Sequence, residues 1–433
     1  MSVTAGAGFF GCVFGGGEVM TERSWAHGGH AWRVGLLCFV VTMFEGFDLQ
    51  VIGVLAPTIG REMALTPAAL GGVFGAATLG LLAGAIISGF LADKVGRKPT
   101  LVASIGVFAL CTWATSLAQS GDQLVLARLL TGLGLGGAMP SIAALSSEAV
   151  GRKNHIAFVT SMFAGMPFGG ALSALAVALW PGEISWRSVF EIGGWAQLAL
   201  TLVILVLMPE SRAFLDRKRA APGADVSQEA GASPPVIRAP VSYWVGVSGL
   251  CVAFFFTLLS LHFFLNWLPS MLSGQGFGGR EAAFVSFAFG MAGALGSVVV
   301  GALAQGGRAR LAMFAAYAGI AFVSAFPSVF GASLVGALAL GALVGFCLVG
   351  GQMTLYGLAP GFFASHVRGL GVGVTIAAGR LGSFVGPTLA GALLGLGWTQ
   401  RDVMALNAPA ALLAAGALAV AVSFSGKATP NED

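Results

Sequence analysis

Long stretches without charge recur along this chain, and they limit its possible folds more than any other feature. Twenty-three residues without a charged side chain separate Lys98 from Asp122, and 55 separate Arg310 from His366. A helix needs about 20 apolar residues to cross a bilayer. Of the 433 residues, 56% are hydrophobic and 9% charged, against roughly 25% charged in soluble domains. The pattern predicts a polytopic membrane protein and excludes a soluble enzyme, a disordered chain and a nucleic-acid-binding protein.

The apolar stretches predict an all-α protein with twelve transmembrane helices in two six-helix halves. Their length, and their apolar character on every face, favour helices over barrel strands. The predicted spans cover residues 33–58, 69–92, 99–119, 123–148, 155–180, 188–208, 241–270, 281–304, 309–328, 332–358, 367–395 and 402–424. Glycines spaced four apart predict close helix packing; they are Gly71–Gly75, Gly80–Gly84, Gly165–Gly169 and Gly382–Gly386.

The loops predict the orientation and the domain boundaries. With the N-terminus in the cytoplasm, 16 of the 22 Lys and Arg residues fall in cytoplasmic loops or tails and four in outer loops, as the positive-inside rule requires. A polar, Pro- and Gly-containing stretch at 209–240 predicts a linker. The divisions are a cytoplasmic tail at 1–32, halves at 33–208 and 241–425, and a second cytoplasmic tail at 426–433. A short match between residues 89–93 and 301–305, at equivalent places in the two halves, supports an internal repeat with a midplane site.

Two acids in the first span are the most informative charges. Glu45 and Asp48 lie about a turn apart on one helix face, near mid-depth. A charge within lipid costs several kcal/mol, and two neighbouring carboxylates resist simultaneous ionisation. We therefore predict that this pair carries protons, with hydrogen bonding between helices as the structural alternative.

Two arginines fall within spans, Arg128 at the start of the fourth and Arg380 within the eleventh. The guanidinium fork binds a carboxylate through two parallel hydrogen bonds. Each arginine is predicted to pair with Glu45 or Asp48 in the empty protein or to bind an anionic substrate. For Arg128, snorkelling to the outer interface is the alternative.

Polar pairs at i,i+4 spacing predict further contacts with a bound molecule. His262 and Asn266 form one pair in span 7, and Gln352 and Tyr356 form another in span 10. Each pair could line a cavity or simply bond between helices.

A charged turn follows the second span. Asp93 and Arg97 in this turn are predicted to latch a cytoplasmic gate; the alternatives are a plain positive-inside anchor and a proton-relay role for Asp93.

The sequence offers no sign of a cofactor, a metal site or a disulfide framework. The five cysteines lie mostly inside predicted spans, and no nucleotide-binding loop follows a strand. We therefore predict no cofactor, no enzyme activity and no ATP-driven transport by this chain alone.

Residues 89–98, Gly-Phe-Leu-Ala-Asp-Lys-Val-Gly-Arg-Lys, resemble the loop 2–3 signature of the major facilitator superfamily, and Pro209-Glu-Ser-Arg212 resembles its motif after span 6. Residues 45–50, Glu-Gly-Phe-Asp-Leu-Gln, are similar to the D-G-x-D element of the aromatic acid:proton symporter family, with Glu first. Further similar stretches lie at 128–140, 266–269, 350–360 and 379–387. The Glu-first motif and Asn266-Trp-Leu-Pro269 look most like the branch that carries 3-(3-hydroxyphenyl)propionate.

The resemblance implies a monomeric, multi-pass carrier of the cytoplasmic (inner) membrane, with both termini inside. Its partners are a small aromatic carboxylate, protons and the lipid bilayer, and not nucleic acid. In this hypothesis Glu45 and Asp48 take protons, and Arg380, with Arg128 second, balances the substrate carboxylate. The alternatives are a carrier of another small molecule such as a sugar or drug, a non-transporting membrane sensor, and a membrane-embedded enzyme.

Overall fold

Helices are the regular elements of the part of the chain that the computed structural model describes. These residues are 22–149, 158, 162–180, 185–211, 214–215, 241–304, 308–326, 333–363 and 368–425, without the side chains of 22–30, 93, 147, 309, 368–370 and 425. The helices are α1 Glu22–Glu62, α2 Pro67–Val95, α3 Arg97–Ser116, α4 Gly121–Ala149, α5 Gly165–Leu179, α6 Trp186–Leu207, α7 Val241–Gly274, α8 Gly279–Leu303, α9 Ala309–Ala325, α10 Leu334–Leu358, α11 Arg368–Gly395, α12 Gln400–Ala405 and α13 Asn407–Ser425.

The helices match the twelve predicted spans in order, and the all-α prediction is confirmed. Within the described ranges, nine helices are long and apolar enough to cross a membrane, and α5 and α9 supply shorter apolar ones. The helix α11, which corresponds to the eleventh predicted span, is 28 residues long. Two boundaries differ from expectation. The helix α1 begins at Glu22, because its hydrogen-bond pattern continues past the apolar stretch. The twelfth span consists of α12 and α13, which are separated at Leu406.

Local sequence signals set several helix boundaries. Thr66 caps α2 by accepting the N–H of Ala69 at 3.2 Å, and Pro67 occupies the first turn, where its missing N–H costs nothing. Gly96 ends α2 with a φ of +113°, a conformation that side chains disfavour. The helix α3 begins at the next residue, so the two helices meet in a tight turn.

Glycines allow the helices to pack with their backbones in contact. A Cβ at Gly80 or Gly84 of α2 would overlap carbonyl oxygens of Leu129 and Leu133 in α4. The second half repeats this arrangement between α8 and α10, where Gly345 faces the carbonyl of Phe289. The other predicted pairs also meet neighbouring helices, with Gly71–Gly75 against α11, Gly165–Gly169 against α1 and Gly382–Gly386 against α7. The packing prediction is confirmed, and the α2–α4 and α8–α10 pairs support the internal repeat.

The halves contact each other through α1 with α7, α2 with α11 and α5 with α8. We call the end of the bundle that carries the α1–α2, α7–α8 and α11–α12 connections the distal end, and the opposite one the proximal end. A Cβ at Gly71 would lie 2.9 Å from the carbonyl oxygen of Pro387 and 3.1 Å from the Cα of Gly391. Val54, Ala174 and Ala283 form a further buried cluster between the halves. The described contacts therefore hold the halves together from mid-depth to the distal end.

The helix α2 shows the same asymmetry along its length. Val73 and Phe74, near its distal end, are 0% and 3% exposed, whereas Ile86 and Phe90, toward the proximal end, are 57% and 70% exposed. Phe74 packs edge-on against the ring of Trp267 in the other half. Among the described residues, α2 thus packs against the other half distally, whereas toward the proximal end the face that carries Ile86 and Phe90 is uncovered.

Candidate functional site

Asp48 and Arg128 form a fully buried ion pair between α1 and α4. Nη1 of Arg128 donates to Oδ1 of Asp48 at 3.0 Å, and Nη2 donates to Oδ2 at 2.7 Å. The side chains of Arg128 and Asp48 are 0% and 1% exposed. This is the two-bond geometry that makes arginine–carboxylate pairs specific. The snorkelling alternative for Arg128 is therefore wrong, because its guanidinium lies inside the first half. In this conformation Arg128 is engaged by Asp48, so substrate binding by Arg128 requires the pair to open.

Two neighbours of this pair are not apparent from the sequence. The hydroxyl of Thr112, on α3, donates to Oδ1 of Asp48 at 3.3 Å. The guanidinium of Arg128 lies over the ring of Phe190 in α6, 5.8 Å from its centroid, within the range of a cation–π contact. Thr and Phe are common in apolar helices, so neither position carries a signal before the helices are placed together.

Glu45 lies one turn before Asp48 in α1 and has different surroundings. It is 1% exposed, and its Oε1 has no hydrogen-bond partner among the described residues. Gly46, between the acids, lets α5 approach, because a Cβ there would overlap the carbonyl of Met166. The nearby charges that act on Glu45 are those of Arg380 and Asp48. The two acids therefore differ in kind: Asp48 is paired, whereas Glu45 is buried and incompletely bonded.

Arg380 brings a cation from the second half to this place. It is half-buried in α11, and its Nη2 lies 3.6 Å from Sδ of Met139 in α4. No carboxylate of the described residues lies within 4.0 Å of it. Its charge acts on both Glu45 and His262. The structure thus brings Glu45, His262 and Arg380 into one region between the halves, with a cation available for an anion.

His262 and Asn266 lie on the buried side of α7 and bond to its backbone. Nδ1 of His262 is 3.1 Å from the carbonyl oxygen of Leu258, and Nδ2 of Asn266 donates to the carbonyl of His262 at 2.7 Å. They are 7% and 5% exposed. The backbone of Asn266 also meets Gly53 of α1, so this part of α7 lies against the first half.

Gln352 and Tyr356 lie on α10 with different contacts. Gln352 is 7% exposed. The ring of the half-buried Tyr356 packs edge-on against Phe254 of α7, with centroids 5.3 Å apart. Tyr356 therefore has a packing partner, and its role in substrate binding, like that of Gln352, stays a prediction.

The charged turn after α2 forms a separate cluster at the proximal end. Arg97 makes an ion pair with Glu148 at the end of α4. The backbone N–H groups of Arg97 and Lys98 both donate to Oε1 of Glu210, each at 3.0 Å, and Ser211 donates to Glu148 at 2.8 Å. These contacts join α3 and α4 of the first half to the start of the predicted linker. The side chain of Asp93 lies outside the described residues, and the gating role of Asp93 and Arg97 stays a prediction.

A buried charge cluster between two six-helix halves, each with the same glycine-packed helix pair, defines a secondary membrane carrier. The family model of the Major Facilitator Superfamily matches residues 38–387. The chain belongs to this superfamily, and it is a membrane-spanning transporter rather than an enzyme.

The chain is similar to curated transporters along nearly its whole length. It is 39% identical to the 3-(3-hydroxy-phenyl)propionate transporter of Escherichia coli (strain K12), over 92% of this chain and 95% of that one. It is 34% identical to the 4-hydroxybenzoate transporter PcaK of Pseudomonas putida, over 90% and 92%, and 33% identical to the gallate transporter of the same species, over 89% and 92%. The family resemblance drawn from the sequence is confirmed.

Solved structures support the fold. The inward open conformation of the xylose transporter XylE from E. coli matches with a TM-score of 0.71 at 17% identity, over 92% of this chain and 96% of that one. A bacterial homologue of the human lysosomal transporter Spinster matches with a TM-score of 0.66, also at 17% identity, over 92% and 96%. At this identity the likeness concerns the fold alone.

Proposed function

We propose that this protein imports an aromatic carboxylate together with protons, by alternating access across the cytoplasmic membrane. The observation that carries the proposal is the half-buried cation of Arg380, which contacts Met139 of the other half and has no carboxylate of the described residues within 4.0 Å. Arginine suits a carboxylate ligand, and a site between the halves can face either side in turn. The relatives whose names specify aromatic acids supply the substrate class.

The two acids have different parts in this proposal. Asp48 is held by Arg128 and Thr112, whereas Glu45 lacks a hydrogen-bond partner on Oε1 within the described part of the chain. A buried ionised carboxylate without partners is costly, so Glu45 gains most from a proton. Glu45 therefore takes the proton first, and Asp48 follows when its pair with Arg128 opens.

The remaining predicted residues surround the same route. The substrate carboxylate binds Arg380, with Arg128 available once Asp48 is released. His262, Asn266, Gln352 and Tyr356 contact the aromatic ring or its substituents. Asp93 and Arg97 act at the cytoplasmic gate, and both termini lie in the cytoplasm. One chain contains all these residues, so a monomer suffices.

Uptake into proteoliposomes with an imposed proton gradient tests the proposal. Labelled 3-(3-hydroxyphenyl)propionate should accumulate, a protonophore should abolish the accumulation, and xylose should not compete. Competition by xylose and not by aromatic acids would instead identify a sugar carrier. Binding of the acid without uptake would identify a sensor.

Glu45→Gln separates coupling from binding. The amide keeps the size of the side chain but cannot carry the proton, so uphill accumulation should fall at least ten-fold, while exchange of internal for external substrate continues. The matched control is Leu36→Ala on the same helix, because Leu36 is 42% exposed. Normal accumulation by Glu45→Gln would refute the role of Glu45.

A further inference from the structure

The hydrogen-bond partner of Nδ1 determines which nitrogen of the His262 ring carries the hydrogen. Nδ1 lies 3.1 Å from the carbonyl oxygen of Leu258, one turn earlier in α7. A carbonyl oxygen can only accept a hydrogen bond. Nδ1 must therefore carry the hydrogen, and the bond fixes the orientation of the ring as well as its tautomer.

The other nitrogen, Nε2, is consequently a hydrogen-bond acceptor. In a neutral imidazole with its hydrogen on Nδ1, Nε2 presents a lone pair and has nothing to donate. The ring is neutral here, because His262 is 7% exposed and no carboxylate of the described residues lies within 4.0 Å of it, so a buried positive charge would be left uncompensated. No side chain of the described residues donates to Nε2.

The neighbouring polar groups do not satisfy this acceptor. The amide nitrogen of Asn266 donates to the backbone carbonyl of His262, 2.7 Å away. Arg380 contacts Met139, and a Cβ at its neighbour Gly379 would lie 3.1 Å from Leu258, the residue that accepts the hydrogen bond of His262. A molecule whose carboxylate is bound by Arg380 would thus find, in the same region, an acceptor that needs a hydrogen.

We propose that Nε2 of His262 accepts a hydrogen bond from a phenolic hydroxyl of the transported acid, which makes His262 a specificity residue for hydroxylated aromatic carboxylates. The inference rests on the proposed function, because Arg380 must hold the carboxylate. A site built to bond a hydroxyl discriminates against analogues that lack it, since its own polar group is then left unpaired. The group recognised is a hydrogen donor, and an oxygen that only accepts does not replace it.

Three acids with the same carboxylate side chain test this in the wild-type protein. They are 3-(3-hydroxyphenyl)propionate, 3-(3-methoxyphenyl)propionate and 3-phenylpropionate, compared by kcat/KM for uptake into proteoliposomes. The methoxy compound keeps the oxygen but has no hydrogen to donate. We expect it and the unsubstituted acid to be transported about ten-fold less efficiently than the hydroxylated one, the size of one hydrogen bond.

Variants at His262 assign the preference to this ring. His262→Phe keeps an aromatic ring at this position but removes both nitrogens, so the hydroxylated acid and 3-phenylpropionate should be carried about equally. His262→Gln supplies an amide oxygen as an alternative acceptor and should restore part of the preference. Val252→Ala, at an exposed position of α7, is the matched control and should behave as wild type.

The outcomes separate the two proposals. Equal transport of all three acids by the wild type overturns the inference about His262 and leaves aromatic acid transport intact. An undiminished preference in His262→Phe also overturns it. Failure to transport any of the acids overturns the proposed function and this inference together. If His262→Phe does not fold, equal transport of the three acids by the wild type still overturns the inference.

Discussion

At the scale of single residues, the pairing of Asp48 with Arg128 is the best-defined contact of the site. Both side chains are essentially inaccessible, and two parallel hydrogen bonds join them. Removing one partner of a buried pair leaves an uncompensated charge, at a cost of about 3–5 kcal/mol, whereas removing both charges costs less. Removing one charge of this pair should therefore change the free energy of folding more than removing both charges.

Arg128→Gln should accordingly destabilise the protein more than the double variant Asp48→Asn with Arg128→Gln. The double variant leaves two neutral amides that can bond to each other. The measurement is the apparent Tm of the detergent-solubilised protein for the wild type, both single variants and the double variant. A double variant as unstable as Arg128→Gln would show that the contact contributes through packing and not through charge.

The sequence identified the charged residues of the site but not their pairing. Glu45, Asp48, Arg128 and Arg380 stand out because charges are costly in lipid. Which arginine binds which acid depends on how α1, α4 and α11 are packed, and this is a tertiary property. Thr112 carries no comparable signal, because a hydroxyl is tolerated in any apolar helix when it bonds to its own backbone.

At the scale of helices, the contact between α2 and α11 determines how closely the halves approach distally. Gly71 faces Pro387 and Gly391 there, whereas a Cβ at the next residue, Gly72, would meet nothing within 4 Å. These adjacent glycines share the same helix and differ only in what lies opposite them. They therefore offer a matched pair of positions.

Gly71→Leu should prevent distal closure and reduce the initial rate of uptake at least ten-fold, and Gly72→Leu should leave it nearly unchanged. Closure can be measured directly as the distance between spin labels at Arg61 and Leu396, both exposed near the distal end, in a background without native cysteines. Gly71→Leu should lengthen that distance. Equal effects of the two substitutions would mean that the glycines matter for helix flexibility and not for close approach.

The order and approximate limits of the spans could be predicted from the sequence, because hydropathy follows directly from the bilayer thickness. The ends of the helices were harder to predict from the sequence. The start of α1 at Glu22 lies before the apolar stretch, and the break between α12 and α13 at Leu406 lies inside the predicted span, just before Asn407 and Pro409. Hydropathy reports burial in lipid and is insensitive to where a backbone hydrogen-bond pattern starts or stops.

At the scale of the whole molecule, the site is shared between the halves. Glu45, Asp48 and Arg128 come from the first half, and His262 and Arg380 from the second. The described contacts between the halves are made by helix faces, including the bond from Gln50 to the carbonyl of Ser286 at 3.2 Å. Assembly of the site therefore does not depend on a continuous chain between the halves.

Two separately expressed pieces, cut within the predicted linker at 209–240, should associate in the membrane and restore measurable uptake, about a tenth of the wild-type rate or more. Neither piece alone should transport. Uptake of labelled acid by membranes containing one or both pieces is the measurement. Transport by a single half would contradict a site built from both.

The cluster around Glu210 has a consequence for how such a molecule moves. Glu210, Arg97 and Glu148 join the start of α3 and the end of α4, both in the first half, to the segment that follows α6 at the start of the predicted linker. Rotation of one half against the other leaves these bonds intact. If the halves rotate about the contact between Gly71 and Gly391, this cluster moves with the first half as one rigid group, and the displacement is largest at the proximal end.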